Sequence, residues 1–202
     1  MEELCLIKKI PFFTDILPPG AKIRPGLIPD AKKYIVIHNT GNYNPQCGAR
    51  WHNGYIHGLA AEDDPRKVSW HFTVDGNEIW QHLPIMESAW HAGDGNYGRG
   101  NYLGVGIEIC VNGFPGLYRG EEYENWEKTF LIAIDNAAML AASLMKALSL
   151  GVNALLQHYD CAPNKKNCPM QMRYDKNTDL FSRENGSLYN YFLHKTEEYL
   201  QR

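Results

Sequence analysis

Two histidines and a cysteine, far apart along the chain, have the types and settings that ligate a transition metal. His38 closes the run Tyr34-Ile-Val-Ile-His38, whose β-branched residues place it at the carboxyl end of a buried strand. His158 opens a second segment, His158-Tyr-Asp-Cys-Ala-Pro-Asn-Lys-Lys166-Asn-Cys168-Pro169, a loop long enough to curl round a cation. Imidazole and thiolate are donors that Zn2+ favours, and three protein ligands with one open position make a catalytic rather than a structural site. Either histidine alone would more often be a packed core residue than a ligand. Together with Lys166 and Cys168 they point to a metal-dependent hydrolase. Cys161 and Asp160 lie in the same loop as competing donors.

The remaining parts of such a reaction have candidates too. A catalytic zinc brings the pKa of a bound water to about 7. Attack on an amide carbonyl builds an oxyanion that needs fixed positive charge, and Lys166, close to Cys168 in the chain, can supply it. Proton transfer to the departing amine calls for a carboxylate of raised pKa. Glu108 is the candidate: it interrupts the apolar run Val105-Gly-Ile-Glu108-Ile-Cys-Val111, so it either sits on a solvated face or belongs to a site. Asn39 and Thr40, next to His38, either hydrogen-bond substrate and orient that ligand or form the turn before Gly41.

Positioning these groups takes strands and helices in alternation. Pro11, Pro18, Pro19, Pro25 and Pro29 forbid a continuous helix near the start and predict an extended arm over residues 1–23. Strand Tyr34–His38 is followed by a helix over 47–59 carrying Ala49, Trp51 and Ile56, then by a charged loop over 61–67. The alternating run from Ser69 to Val74, the turn Asp75-Gly76-Asn77 and the return from Glu78 to His82 read as a hairpin. A Gly- and Asn-rich loop over 93–104 leads to the buried strand Val105–Val111. Trp126, Phe130, Ile134, Ala137, Ala141, Leu144 and Leu148 recur at helical spacing, with Gly151 as the stop. A short strand over 154–156 and a short helix over 188–200 complete an α/β chain, a central mixed sheet flanked by helices. One domain is expected over 1–202, with its core at about 24–170 and a C-terminal extension over 171–202.

Composition narrows the function classes. Hydrophobic content of 44% and aromatic content of 12% fit a packed core rather than disorder. A net charge of −3 without a basic run gives no footprint for nucleic acid. Five scattered cysteines favour reduced or metal-bound thiols; Cys110 reads as a small hydrophobe, and Cys5 and Cys47 have no assigned role. The longest apolar stretch, Phe130 to Leu150, carries Asp135 and Lys146 and reads as amphipathic, so no membrane insertion is expected. Met1-Glu2-Glu3-Leu4 shows no basic start to a secretory signal. His52, His57, His82 and His194 have no nameable partner and default to exposed surface.

Taken in order, Tyr34-Ile-Val-Ile-His38-Asn39-Thr40, Ser69-Trp70-His71-Phe-Thr-Val-Asp-Gly76, Gly104-Val-Gly-Ile-Glu108-Ile-Cys110 and His158 with Lys166-Asn-Cys168-Pro169 resemble the type 2 N-acetylmuramoyl-L-alanine amidases, and Arg24-Pro25-Gly26 adds to the likeness. That family includes phage endolysin and bacterial autolysin catalytic domains and is similar in fold to peptidoglycan recognition proteins. The resemblance covers roughly residues 24–170. It implies His38, His158 and Cys168 as zinc ligands, Glu108 as acid/base and Lys166 as stabiliser of the tetrahedral intermediate. It also favours Cys168 over Cys161. The implied reaction is hydrolysis of the amide between N-acetylmuramic acid and L-alanine, on peptidoglycan or a soluble muropeptide, by a monomer. The implied setting is a phage- or prophage-like lysin held in the cytoplasm until released to the wall. The alternative is a recognition module that binds wall fragments without cutting them. Asn39, Thr40, Trp70, His71 and His91 are the candidates for substrate contact, with His71 alternatively structural or beside the ligands, and His91 alternatively plain surface.

Overall fold

β-branched and apolar runs in the middle of the chain become the strands, and the long 3.6-residue repeat becomes the main helix, as their periods require. In the computed structural model, residues 10–175, 177–178, 180–181 and 186–202 are described; Cys5 and the start of the arm lie outside the described residues. The elements are β1 (Phe12–Thr14), β2 (Tyr34–Asn39), α1 (Ala49–Ala60), β3 (Phe72–Val74), β4 (Ile79–Gln81), β5 (Gly104–Ile109), α2 (Gly120–Ala147), β6 (Leu155–Gln157), α3 (His158–Cys161), the short pair β7 (Tyr174–Asp175) and β8 (Leu180–Phe181), and α4 (Ser187–Leu200). Six strands form one mixed sheet in the order β1-β4-β3-β5-β2-β6, with β3 and β4 antiparallel and the other neighbours parallel. The proline-rich arm, expected only to be extended, adds β1 to the sheet edge, a place that tolerates flanking prolines.

The sheet has two unlike faces. Ile35 and Ile37 of β2 and Val105, Ile107 and Ile109 of β5 join one core with α2 and α4. The intervening residues, Val36 and His38 on β2 and Gly106 and Glu108 on β5, point the other way. A smaller core on that second side, Leu17, Ile23, Ile56, Leu59, Trp70, Leu83 and Ala89, packs α1 and the arm. Arg24 fastens the arm: its Nε and Nη2 each donate to Glu87 at 2.6 Å, and Nη1 donates to the Leu17 carbonyl at 2.5 Å.

Two helices depart from the sequence reading. α2 starts at Gly120, a turn and more before Trp126, with Glu121 and Glu122 placed to meet the positive end of its dipole. It ends with Ser149 in the left-handed region at φ 55°, where Ser149 N–H donates to the Lys146 carbonyl and Leu150 N–H to the Met145 carbonyl, so the chain reverses before Gly151. By length and composition α2 could cross a membrane, yet 72% of its apolar window is buried inside the protein. Residues Ala137 through Met145 are all buried, so the polar face expected of this amphipathic stretch is confined to its ends. The sheet covers one side and α4 the other, with Tyr199 donating its hydroxyl to Asp135 Oδ1 at 3.0 Å.

Candidate metal centre

Strand register builds the site. β2 and β5 run parallel with His38 opposite Glu108, and partners in register share a face, so His38 Nδ1 comes within 3.8 Å of Glu108 Oε1. β6 flanks β2 on the other side and ends at Gln157, which delivers His158, the first residue of α3, beside His38. His158 Nε2–H donates to the Ala92 carbonyl at 3.1 Å, and its Nδ1 faces His38 Nδ1 at 2.9 Å. His38 Nε2 is hydrogen-bonded to His91 Nδ1 at 2.9 Å. With Nε2–H given to Ala92, His158 turns its Nδ1 lone pair towards His38, so two ring nitrogens converge where a cation could be held. Cys168 is drawn in by the Asn39 N–H, which donates to Sγ at 3.1 Å, and by Tyr159 N–H, which donates to the Cys168 carbonyl at 2.8 Å.

Donor atoms of His38, His158 and Cys168 all lie within 4.8 Å of one another. Two imidazoles and a thiolate are a donor set that fits Zn2+. Burial, then the fields of His158, His91 and Lys166, push His38 well below the usual histidine range. Burial and Lys166 push His158 down to about 4. Both rings are therefore neutral donors at pH 7. Burial and Glu108 push the Cys168 thiol up, so that thiol gives up its proton only when a cation arrives. Glu108, its side chain 17% exposed, is pushed up to about 8 by burial. Lys166 is exposed and lies over Gly93, where an added Cβ would come within 3.2 Å of its Cε.

The other candidates are sorted by their contacts. Cys161 stands apart from the converging donors: its Sγ packs on Gly100, and burial pushes its thiol up to about 11. Asp160 Oδ2 accepts from Gln157 N–H at 2.7 Å in the capping box of α3. His71 takes a structural place: it is fully buried, donates Nε2–H to the Glu87 carbonyl at 2.7 Å and accepts from Gly106 N–H at 3.0 Å. His91 neither lines the cleft nor sits on the surface but stands behind His38, in space that Gly106 leaves: a Cβ there would meet the His91 ring at 2.8 Å. Asn39 holds Cys168 through its backbone, while Thr40 and Trp70 line a cleft of about 540 Å³ that reaches Glu108.

Sequence reasoning missed the outer wall of that cleft, which Tyr43, Trp51, His52, Tyr55 and Arg66 help to form. Trp51 and Tyr55 stand four apart on one helix, a spacing that could have flagged them. Histidines expected on the surface are in part buried. His52 is 5% exposed, and His82 is fully buried, bonded to Thr73 Oγ1 at 2.8 Å and Asn53 Oδ1 at 3.1 Å. His194 is exposed and lies 3.1 Å from Glu198, and His57 is half-buried near Asp15. Their exposure depends on packing that local sequence does not encode.

Known proteins resemble this chain in both sequence and fold. A family model described as N-acetylmuramoyl-L-alanine amidase matches residues 29–171. The N-acetylmuramoyl-L-alanine amidases CwlH and XlyA of Bacillus subtilis (strain 168) are 36% and 37% identical over 158 residues, which is 78% of this chain. Those 158 residues are 55% and 46% of the relatives, so the chain spans about half the length of the curated relatives it matches. The solved catalytic domain of XlyA superposes with a TM-score of 0.68 at 32% identity, covering 93% of this chain and 99% of that one.

Proposed function

The chain belongs to the N-acetylmuramoyl-L-alanine amidase family, and from that premise we propose that it is a zinc-dependent hydrolase of the amide joining N-acetylmuramic acid to L-alanine in peptidoglycan. The observation that carries the reading is the convergence of His38, His158 and Cys168 beside a carboxylate held at about 8. His38 and His158 through Nδ1 and Cys168 through Sγ would hold the metal. Bound there, zinc supplies Lewis acidity and a water acidic enough to react at neutral pH.

The protein's own groups do the rest. Glu108, in the register position next to His38, accepts the proton of the attacking water and returns it to the departing amine; a carboxyl tuned near neutrality can do both. Lys166, on the loop between two ligands, offers positive charge to the developing oxyanion. His91 holds the His38 ring in the orientation that aims Nδ1 at the site. What supports cleavage over mere binding is the complete set of donors with an acid/base in reach.

Metal analysis and product analysis test this together. Wild type should purify with one zinc per chain, His38→Ala without it, and digestion of peptidoglycan should release stem peptides with a free L-alanine amino terminus. Equal zinc in both proteins, or products cut at another bond, would overturn the reading. Running intact wall and soluble muropeptide side by side separates the two forms of substrate.

A further inference from the structure

The cleft that reaches Glu108 is aromatic in a way that packing does not explain. Trp51 and Tyr55 on α1 have ring centroids 5.6 Å apart and planes within 6° of parallel. Both line the cleft and both are left open, 46% and 38% exposed, whereas α1 packs inward through Ala49, His52, Asn53, Ile56 and Leu59. Arg66 Nη2–H donates to the Tyr55 hydroxyl at 3.0 Å and steadies that ring. In the same cleft, the buried atoms Thr40 Oγ1, His52 Nε2 and Glu108 Oε2 have no hydrogen-bond partner among the described residues. A buried polar atom without a partner costs free energy, so a cleft that keeps three is shaped for a ligand rich in hydroxyl or amide groups.

Resting on the amidase reading, we infer that Trp51 and Tyr55 form a stacking platform for a pyranose ring of the glycan, so that the protein selects sugar-bearing stems over sugar-free lactyl peptides. A hexopyranose offers C–H groups on its faces and hydroxyl or acetamido groups round its edge. Flat aromatic faces and unpaired donors and acceptors are what it needs, and the cleft has both. A stem peptide carrying several carboxylates would need several cations. Arg66 is the one lysine or arginine among the lining residues, and its guanidinium is turned to Tyr55.

The test compares affinities by calorimetry for a disaccharide tripeptide and for the D-lactyl tripeptide that keeps the same amide but lacks the sugar, with zinc-loaded Glu108→Gln protein to suppress turnover. Adding Trp51→Ala should lower the ratio of the two affinities about tenfold, with Tyr55→Leu acting in the same direction and Trp51→Phe retaining part of the ratio. A ratio unchanged by these substitutions overturns the platform, whether both affinities fall together or neither falls. No measurable binding of the disaccharide ligand to the parent protein overturns it too. Product analysis on wild type is separate: cleavage with an unchanged ratio sinks the platform alone, and a fallen ratio without cleavage sinks the amidase reading alone.

Discussion

Glu108 is the residue whose environment says most. Its folded pKa of about 8 lies above the ordinary carboxylate value of 4.5, so the folded protein holds a proton that the unfolded chain has lost. The contribution of Glu108 to stability therefore falls as pH rises from about 4.5 to about 8 and levels off beyond, because over that window this carboxyl keeps its proton in the native state and loses it in the unfolded one. In chelator-treated protein, Glu108→Gln should match wild type in melting temperature near pH 4 and exceed it by a margin that widens to about pH 8. A constant margin across that range would mean the carboxyl is not buried as described. His91 makes a second prediction. As the group that orients His38, its replacement by alanine should keep the ligand set yet weaken zinc affinity about 10–100-fold, measured by competition with a chelating dye. Unaltered affinity would reduce His91 to a packing residue. His38, His158, Cys168, Glu108 and Lys166 were legible in the sequence because metal and acid–base chemistry restrict residue type. The contacts of His91 and His71 were not legible, because what they bond depends on Gly106 and on the loop that brings Glu87 to His71.

Elements position those residues through ties that cross the chain. α1 has no capping side chain of its own at Gly48; Asp75, in the β3–β4 turn, accepts from Ala49 N–H at 2.7 Å through Oδ2. Its Oδ1 accepts from Asn77 and Glu78 N–H at 2.7 and 2.8 Å, so one carboxylate both forms the turn and caps the helix that walls the cleft. Asp75→Ala should cost about 2 kcal/mol, the upper end of what a helix cap contributes, and urea titration should show it without a change in slope. A cost within a few tenths of a kcal/mol would leave the cap without weight. The hairpin turn itself was readable from Asp75-Gly76-Asn77, because an aspartate there bonds the backbone locally. Its second role was not, since Gly48 and Asp75 meet only after β3 is in the sheet.

At the scale of the whole molecule, the C-terminal extension is part of the core. Leu188, Tyr189, Phe192 and Tyr199 of α4 are buried in the cluster that holds α2 and the sheet. Side chains of this size contribute roughly 1.5–3 kcal/mol each on burial, against a total stability of about 5–15 kcal/mol for a domain. A chain ending before Ser187 should therefore lose its near-ultraviolet circular dichroism and its cooperative melt. A truncated chain melting within a few degrees of full length would show α4 to be an appendage. Arg24 works at the same scale, joining the arm to the loop that carries Glu87 and, beyond it, His91.

Sequence alone determined which residue types could do the chemistry and the periods of the elements that carry them. Tyr34 to His38 read as a strand ending in a candidate ligand, and the repeat from Trp126 to Leu148 as a long helix. Tertiary structure decided what those residues meet. Parallel register set Glu108 beside His38, α4 helped to bury much of the long helix, and the packing of α1 left Trp51 and Tyr55 open to the cleft. The division has one physical cause. Periodicity and ligand chemistry are local properties of a chain, whereas register, coverage and burial are set by which distant surfaces exclude water together.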